Sequence, residues 1–227
     1  MNALPRHAGG DAGAAPWPPE PALVAILRGL QPERAVDVAT LLFGAGFRAV
    51  EVPLNRPGAL EAIAAIVAVA PADAWVGAGT VIDPAQVDAV AAAGGRLIVS
   101  PHFDAAIVRR ARERGLRTVP GVFTASEAFA AWRAGADALK AFPAEALGPV
   151  GLQALATVLP PGLPLWPVGG ITPDSLAAWV GAGATGFGLG GALFKPEMAS
   201  AEVAARGRQF VAAWERLAAG SGTGPAT

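Results

Sequence analysis

Cysteine is absent from this 227-residue chain, histidine occurs twice, and the only lysines are Lys140 and Lys195. Without cysteine there are no disulfides and no thiolate metal sites, which fits a reducing compartment and a cytoplasmic location. His7 and His102 cannot build a histidine-rich metal centre. Net charge is −1 and basic residues form no cluster, so nucleic-acid binding and a polybasic membrane patch are not expected. No apolar run reaches the roughly 18 residues needed to span a bilayer. Residues 1–20 are rich in Ala, Gly and Pro and lack an apolar signal core, so they are expected to form a disordered tail, as is 220–227.

What the chain does have is apolar bulk, 53% of its residues, and a repeating grammar between 21 and 219. A short apolar run ends in small or polar residues, and an Ala-rich helical stretch follows. The runs are Leu23–Leu27, Ala49–Val52, Trp75–Gly79, Leu97–Ser100, Arg117–Pro120, Ala138–Phe142, Leu165–Val168 and Thr185–Leu189. Their spacing fits one crossover helix per strand. Their lack of polar alternation fits strands buried on both faces. Eight such units predict a single (β/α)8 barrel. The alternative is an open doubly wound sheet, but the first strand is followed by no Gly-x-Gly-x-x-Gly turn. Helix starts are expected at Gln31-Pro32-Glu33, Asp83-Pro84, Thr124-Ala125-Ser126-Glu127 and Thr172-Pro173-Asp174. Helix stops are expected at Gly44, Gly94, Gly115, Gly135 and Gly183. Val203, Phe210, Val211, Trp214 and Leu217 form one face of a last helix.

In such a barrel, reactive groups gather at the carboxyl ends of the strands. Lys140 lies inside an apolar run. Burial there would lower its pKa and favour a free amine able to form a Schiff base with a ketone. The plainer reading is a lysine whose stem packs and whose head reaches water. Glu51, between Val50 and Val52, is either an acid/base with a raised pKa or an ion-pair partner of Arg28 or Lys140. Arg28 has the fork of donors that clamps a carboxylate, or it makes a rim salt bridge. Gly169-Gly170 and Gly190-Gly191 follow the last two strands, where backbone N–H groups can approach a phosphate; either pair alone is more often a tight turn. His102 is a weaker candidate, and the six tryptophans read as packing.

From Ala22 to Trp214 these residues resemble the class I 2-keto-3-deoxy-6-phosphogluconate and 2-keto-3-deoxy-6-phosphogalactonate aldolases. Seven motifs carry the resemblance in order. They are Val24-Ala25-Ile26-Leu27-Arg28-Gly29, Val50-Glu51-Val52-Pro53-Leu54-Asn55, Gly77-Ala78-Gly79-Thr80-Val81, Ser100-Pro101, Pro120-Gly121, Leu139 to Glu145, and Val168 to Pro173. The resemblance implies a cofactor-free, metal-free homotrimeric barrel with Lys140 as Schiff-base lysine and Glu51 as acid/base. Phe142 would lie beside the substrate, Thr80 and Pro101 would line the pocket, and the glycine loops would hold phosphate. Its substrate would be a phosphorylated 2-keto-3-deoxy sugar acid, its products pyruvate and D-glyceraldehyde 3-phosphate. Arg28 and Val168 follow the phosphogalactonate branch; the gluconate epimer and 4-hydroxy-2-oxoglutarate are the alternatives. Gly191 departs from the family's usual Ser or Thr and removes a side-chain phosphate contact. Outside this chemistry stand a sugar-phosphate isomerase, which would not require Lys140, and a non-catalytic phosphosugar-binding barrel.

Overall fold

The computed structural model describes residues 15–221. All eight expected apolar runs form strands, alternating with helices: β1 (Leu23–Ile26), α1 (Pro32–Gly44), β2 (Ala49–Pro53), α2 (Ala59–Val69), β3 (Trp75–Gly79), α3 (Pro84–Ala92), β4 (Leu97–Val99), α4 (Ala105–Glu113), β5 (Arg117–Val119), β6 (Gly121–Val122), α5 (Ala125–Ala134), β7 (Leu139–Ala141), α6 (Ala144–Val158), β8 (Leu165–Pro167), α7 (Leu176–Gly181), β9 (Phe187–Leu189) and α8 (Ser200–Ser221). The ninth strand is β6, which lies just beyond the fifth run and is separated from β5 by Pro120. Proline lacks the N–H that a continuous ladder requires.

Every paired strand is parallel. One sheet has the order β5-β4-β3-β2-β1-β9 and the other β6-β7-β8, curled together into a half-barrel. The helix-start reading holds at two capping boxes, Asp83 with Gln86 and Thr124 with Glu127. Gly135 caps α5 in the left-handed region, at φ 93°. Gly44 instead is the last residue of α1, and the turn beyond it is made at Gly46, φ 109°.

Strand alternation sorts the core into two parts. Leu23, Ala25, Val50, Val52, Ile98, Leu139 and Ala141 pack outward beneath the helices. Val24, Ala49, Trp75, Leu97, Val99, Val119, Ala138 and Trp166 form a separate inner cluster. The last helix buries Val203 and Phe210 as expected, with Trp214 and Leu217 packed at its margin.

Within the stretch read as a 1–20 tail, the described residues 15–20 include side chains that pack on the core. Ala15 and Trp17 join the inner cluster, and Trp17 sits 5.4 Å from the rings of both Trp75 and Trp166. Trp75 Nε1 donates to the Pro16 carbonyl at 2.8 Å. An Ala/Pro-rich composition masked one large ring with a pocket to fill. Residues 1–14 lie outside the described residues. At the other end α8 runs two residues into the stretch read as a tail, and 222–227 lie outside the described residues.

Candidate active site

Only four polar residues are buried among the described residues: Glu51, Ser100, Thr118 and Lys140. Two of them are ionisable, and both point inward from the middle of their strands. In the register Glu51 lies opposite Ile26 on one side and Gly77 on the other, while Lys140 lies between Gly121 and Trp166. The side chains share a small apolar chamber with Val24, Ile26, Val99, Val119, Trp166, Val168 and Gly188. The Lys140 Nζ is 4.6 Å from the Phe142 ring centroid.

Space for the carboxylate comes from glycine. A Cβ on Gly79 would overlap the Glu51 carboxylate, and one on Gly188 would lie 2.6 Å from Val168 Cγ2. Removing these side chains leaves a chamber where two ionisable groups meet with little water to solvate them. Burial pushes the Glu51 carboxyl up to about 7, against the opposing pull of Lys140 and then Arg28. Burial likewise lowers the Lys140 pKa; Glu51 opposes that shift and Arg28 adds to it. Glu51 Oε2 finds no hydrogen-bond partner among the described residues. A buried oxygen in that condition is costly. It is also open to accept a proton from a group that enters the chamber.

Above the chamber opens a cavity of about 480 Å³. Arg28, Phe142, Val168, Gly169, Gly170, Gly190 and Gly191 all line it, so the structure brings together seven of the eleven sequence-predicted site residues there. Lys140 and Glu51 lie in the chamber below, which shares Ile26 and Val168 with the cavity. Thr80 and Pro101 line neither space. Thr80 directly follows β3, half-buried with φ 56°, a left-handed conformation uncommon outside glycine. Pro101 follows β4, and its backbone occupies the space a Cβ on Gly121 would need. His102 does not enter either wall.

Gly169 and Gly170 adopt φ 118° and 65°, and a Cβ on either would run into Glu145. Any larger residue at these positions meets both a strained backbone and an occupied space. The cavity also takes in residues that the sequence reading did not place in a site: Glu145, Ile171, Thr172, Phe194, Lys195 and Pro196. Glu145 was visible as the end of the Lys140 motif. Lys195 was visible as the second of two lysines, five positions beyond Gly190. Among the described residues no group of three or more His, Asp or Glu side chains is placed to hold a metal ion.

The geometry therefore joins a buried amine, a carboxyl poised near neutrality, an apolar ring and an anion-friendly mouth. Comparison with known proteins points to one family. Residues 19–207 match the family described as "Aldolase: KDPG and KHG aldolase". The probable 2-dehydro-3-deoxy-6-phosphogalactonate aldolase of Rhizobium meliloti (strain 1021) is 46% identical over 206 residues, covering 90% of this chain and 97% of that protein. The 2-dehydro-3-deoxy-6-phosphogalactonate aldolase of Escherichia coli (strain K12) is 44% identical over 198 residues, covering 87% and 97%. A solved structure described as native KDPGal superposes with a TM-score of 0.85 at 44% identity, covering 87% of this chain and 96% of that one.

Proposed function

The chain belongs to the KDPG and KHG aldolase family, and from that premise we propose that it cleaves 2-dehydro-3-deoxy-6-phosphogalactonate reversibly to pyruvate and D-glyceraldehyde 3-phosphate. The observation that carries the reading is the buried pair of Lys140 and Glu51 beneath the glycine-lined cavity.

Lys140 is the Schiff-base lysine. Its amine attacks the C2 ketone, water is expelled, and a protonated imine forms. Glu51, directly or through water, takes the proton from the C4 hydroxyl. The C4–O electrons close to a carbonyl, the C3–C4 bond breaks, and its electron pair passes into the imine as an enamine. The three-carbon phosphorylated aldehyde leaves. The enamine takes a proton at C3, and water hydrolyses the imine to pyruvate and free Lys140. A carboxyl with a pKa about 7 can accept and return a proton at neutral pH. A lysine with a lowered pKa offers a larger fraction of free amine.

Within this reading Arg28 holds the substrate carboxylate, Phe142 packs against the imine, and the two glycine loops receive the phosphate. Thr80 and Pro101 border the path at the ends of β3 and β4. The two sheets act as one closed (β/α)8 barrel. Supporting closure, Ala138 N and Lys140 N donate to the Thr118 and Pro120 carbonyls at 3.3 and 2.9 Å. Across the other seam Val168 bridges Gly188, and Thr185 N donates to the Leu165 carbonyl at 3.1 Å. A cytoplasmic homotrimer completes the reading; the exposed side chains of Ile82, Phe123 and Val150 supply apolar surface for subunit contact.

The galactonate epimer is favoured by Val168. It is buried, lines both the chamber and the cavity, and offers no side-chain hydrogen bond to a C4 hydroxyl. The test is turnover of the two C4-epimeric phosphosugar acids followed by pyruvate release. The galactonate epimer should be used at least as well as the gluconate epimer. Strong selectivity for the gluconate epimer contradicts the substrate assignment, and cleavage of neither contradicts the aldolase reading.

A further inference from the structure

Gly190 and Gly191 present backbone but no side chain to the cavity, and a Cβ at either would meet nothing within 4 Å. This wall therefore has room for an anion but supplies no side-chain donor of its own. Glu145 brings a carboxylate to the same cavity, beside Gly169 and Gly170. A phosphate dianion entering there needs a counter-charge beyond backbone dipoles. Two cationic residues line the cavity, Arg28 from the end of β1 and Lys195 from the β9–α8 loop. Arg28 belongs with the substrate's carboxylate.

Lys195 does not hang from a loose loop. The Arg34 guanidinium on α1 donates to the Pro196 carbonyl and, at 2.6 Å, to the Met198 carbonyl. Ser200 donates to Asp37, tying the start of α8 to α1. Gly29, at φ 79°, leaves room for the Pro196 ring, whose Cγ would lie 2.9 Å from a Cβ there. The lysine is thus presented at the cavity on a backbone anchored just beyond it, at Pro196, Met198 and Ser200. Its own ammonium pairs with no carboxylate among the described residues.

We propose that Lys195 is a substrate-specificity residue that contacts the phosphate of the sugar acid, standing in for the side-chain donor that Gly191 lacks, with Arg34 as the residue that positions its loop. This rests on the aldolase reading above and sharpens it. Lysine suits the task as a compact point charge on a flexible stem, in a site already shaped by backbone amides.

The test uses the full chain in the condensation direction, adding pyruvate either to D-glyceraldehyde 3-phosphate or to D-glyceraldehyde. The measured quantity is the ratio of kcat/KM for the phosphorylated over the unphosphorylated aldehyde. Lys195→Met should lower that ratio about tenfold, the size of one hydrogen bond to a charged group, mostly through KM. Lys195→Arg should restore most of it. Melting temperature checks that each variant is folded. An unchanged ratio in Lys195→Met overturns the proposal, as does an equal loss on both aldehydes, which would make the lysine merely structural. A wild-type protein that condenses neither aldehyde with pyruvate fails earlier, at the aldolase reading itself.

Discussion

The two ends of β7 show opposite ways of treating charge. At the amino end Asp137 is fully served: it accepts from Arg117 Nη1 at 2.7 Å, from Thr118 N at 2.8 Å and from Thr118 Oγ1 at 3.4 Å. Arg117 lies 5.7 Å from the rings of Trp17 and Trp75, and Arg96 lies 4.9 Å from Trp75. Three residues further along the same run, Lys140 stands in an apolar chamber opposite a carboxyl whose Oε2 has no partner. One end pairs its charged groups and fills its space with indole rings, of whose N–H groups only that of Trp166 lacks a partner among the described residues. The other leaves polar groups unsatisfied and keeps space with glycine. Stability belongs to the first arrangement and reactivity to the second, because an ionisable group already satisfied by the protein has little left to give a substrate.

Breaking each end separately should produce opposite phenotypes. Lys140→Ala has the largest expected effect on activity. Turnover should fall by roughly 10³-fold or more, since no other amine lines the chamber with Glu51, while thermal stability holds or rises. Steady-state pyruvate release and a melting curve read both quantities.

Glu51→Gln comes next, with a loss of roughly 10²-fold in kcat and retention of the pyruvate adduct. Its pH dependence sharpens the contrast. Folding raises the Glu51 pKa from 4.5 to about 7. Its contribution to stability is therefore fully present below about pH 4.5 and is lost as pH rises through about 7. The wild type should lose up to about 3 kcal/mol by this route, and the glutamine variant should not. The melting temperature of the variant should thus gain on the wild type between pH 5 and 8. The rising limb of the wild-type kcat profile near pH 7 should flatten in the variant.

Trp17→Ala tests the other end. It should cost about 2–3 kcal/mol of stability, through lost ring packing, and leave kcat/KM near the wild-type value at temperatures where the protein is folded. A large activity loss without destabilisation would erase the distinction between the ends. The smallest effect is expected at Val168→Thr. One added hydrogen bond of about 1 kcal/mol should move the ratio of specificity constants about fivefold toward the gluconate epimer.

Much of the mouth was legible in the sequence. Strand period and carboxyl-end placement brought Arg28, Glu51 and Lys140 to one end before any coordinates, because strand alternation and parallel crossovers follow from local pattern. The two glycine pairs were legible for the same reason. Lys195 and Glu145 were not placed in the site, since each enters from a loop or a helix start whose path depends on distant anchors such as Arg34 and Gly170. The base was harder to read. Trp17 lies in an Ala/Pro-rich stretch, and only its partners Trp75 and Trp166, 58 and 149 positions away, make it structural. Pro120 was read as the last residue of its apolar run, so the short strand β6 beyond it went unread.

The central claim is that the buried lysine of β7 is the electron-sink amine. Incubating the protein with pyruvate and borohydride tests it most directly, with peptide mass mapping of the product. The account predicts inactivation and one reduced three-carbon adduct on Lys140, retained in Glu51→Gln and lost in Lys140→Ala. An adduct on Lys195, or no adduct at all, would contradict it.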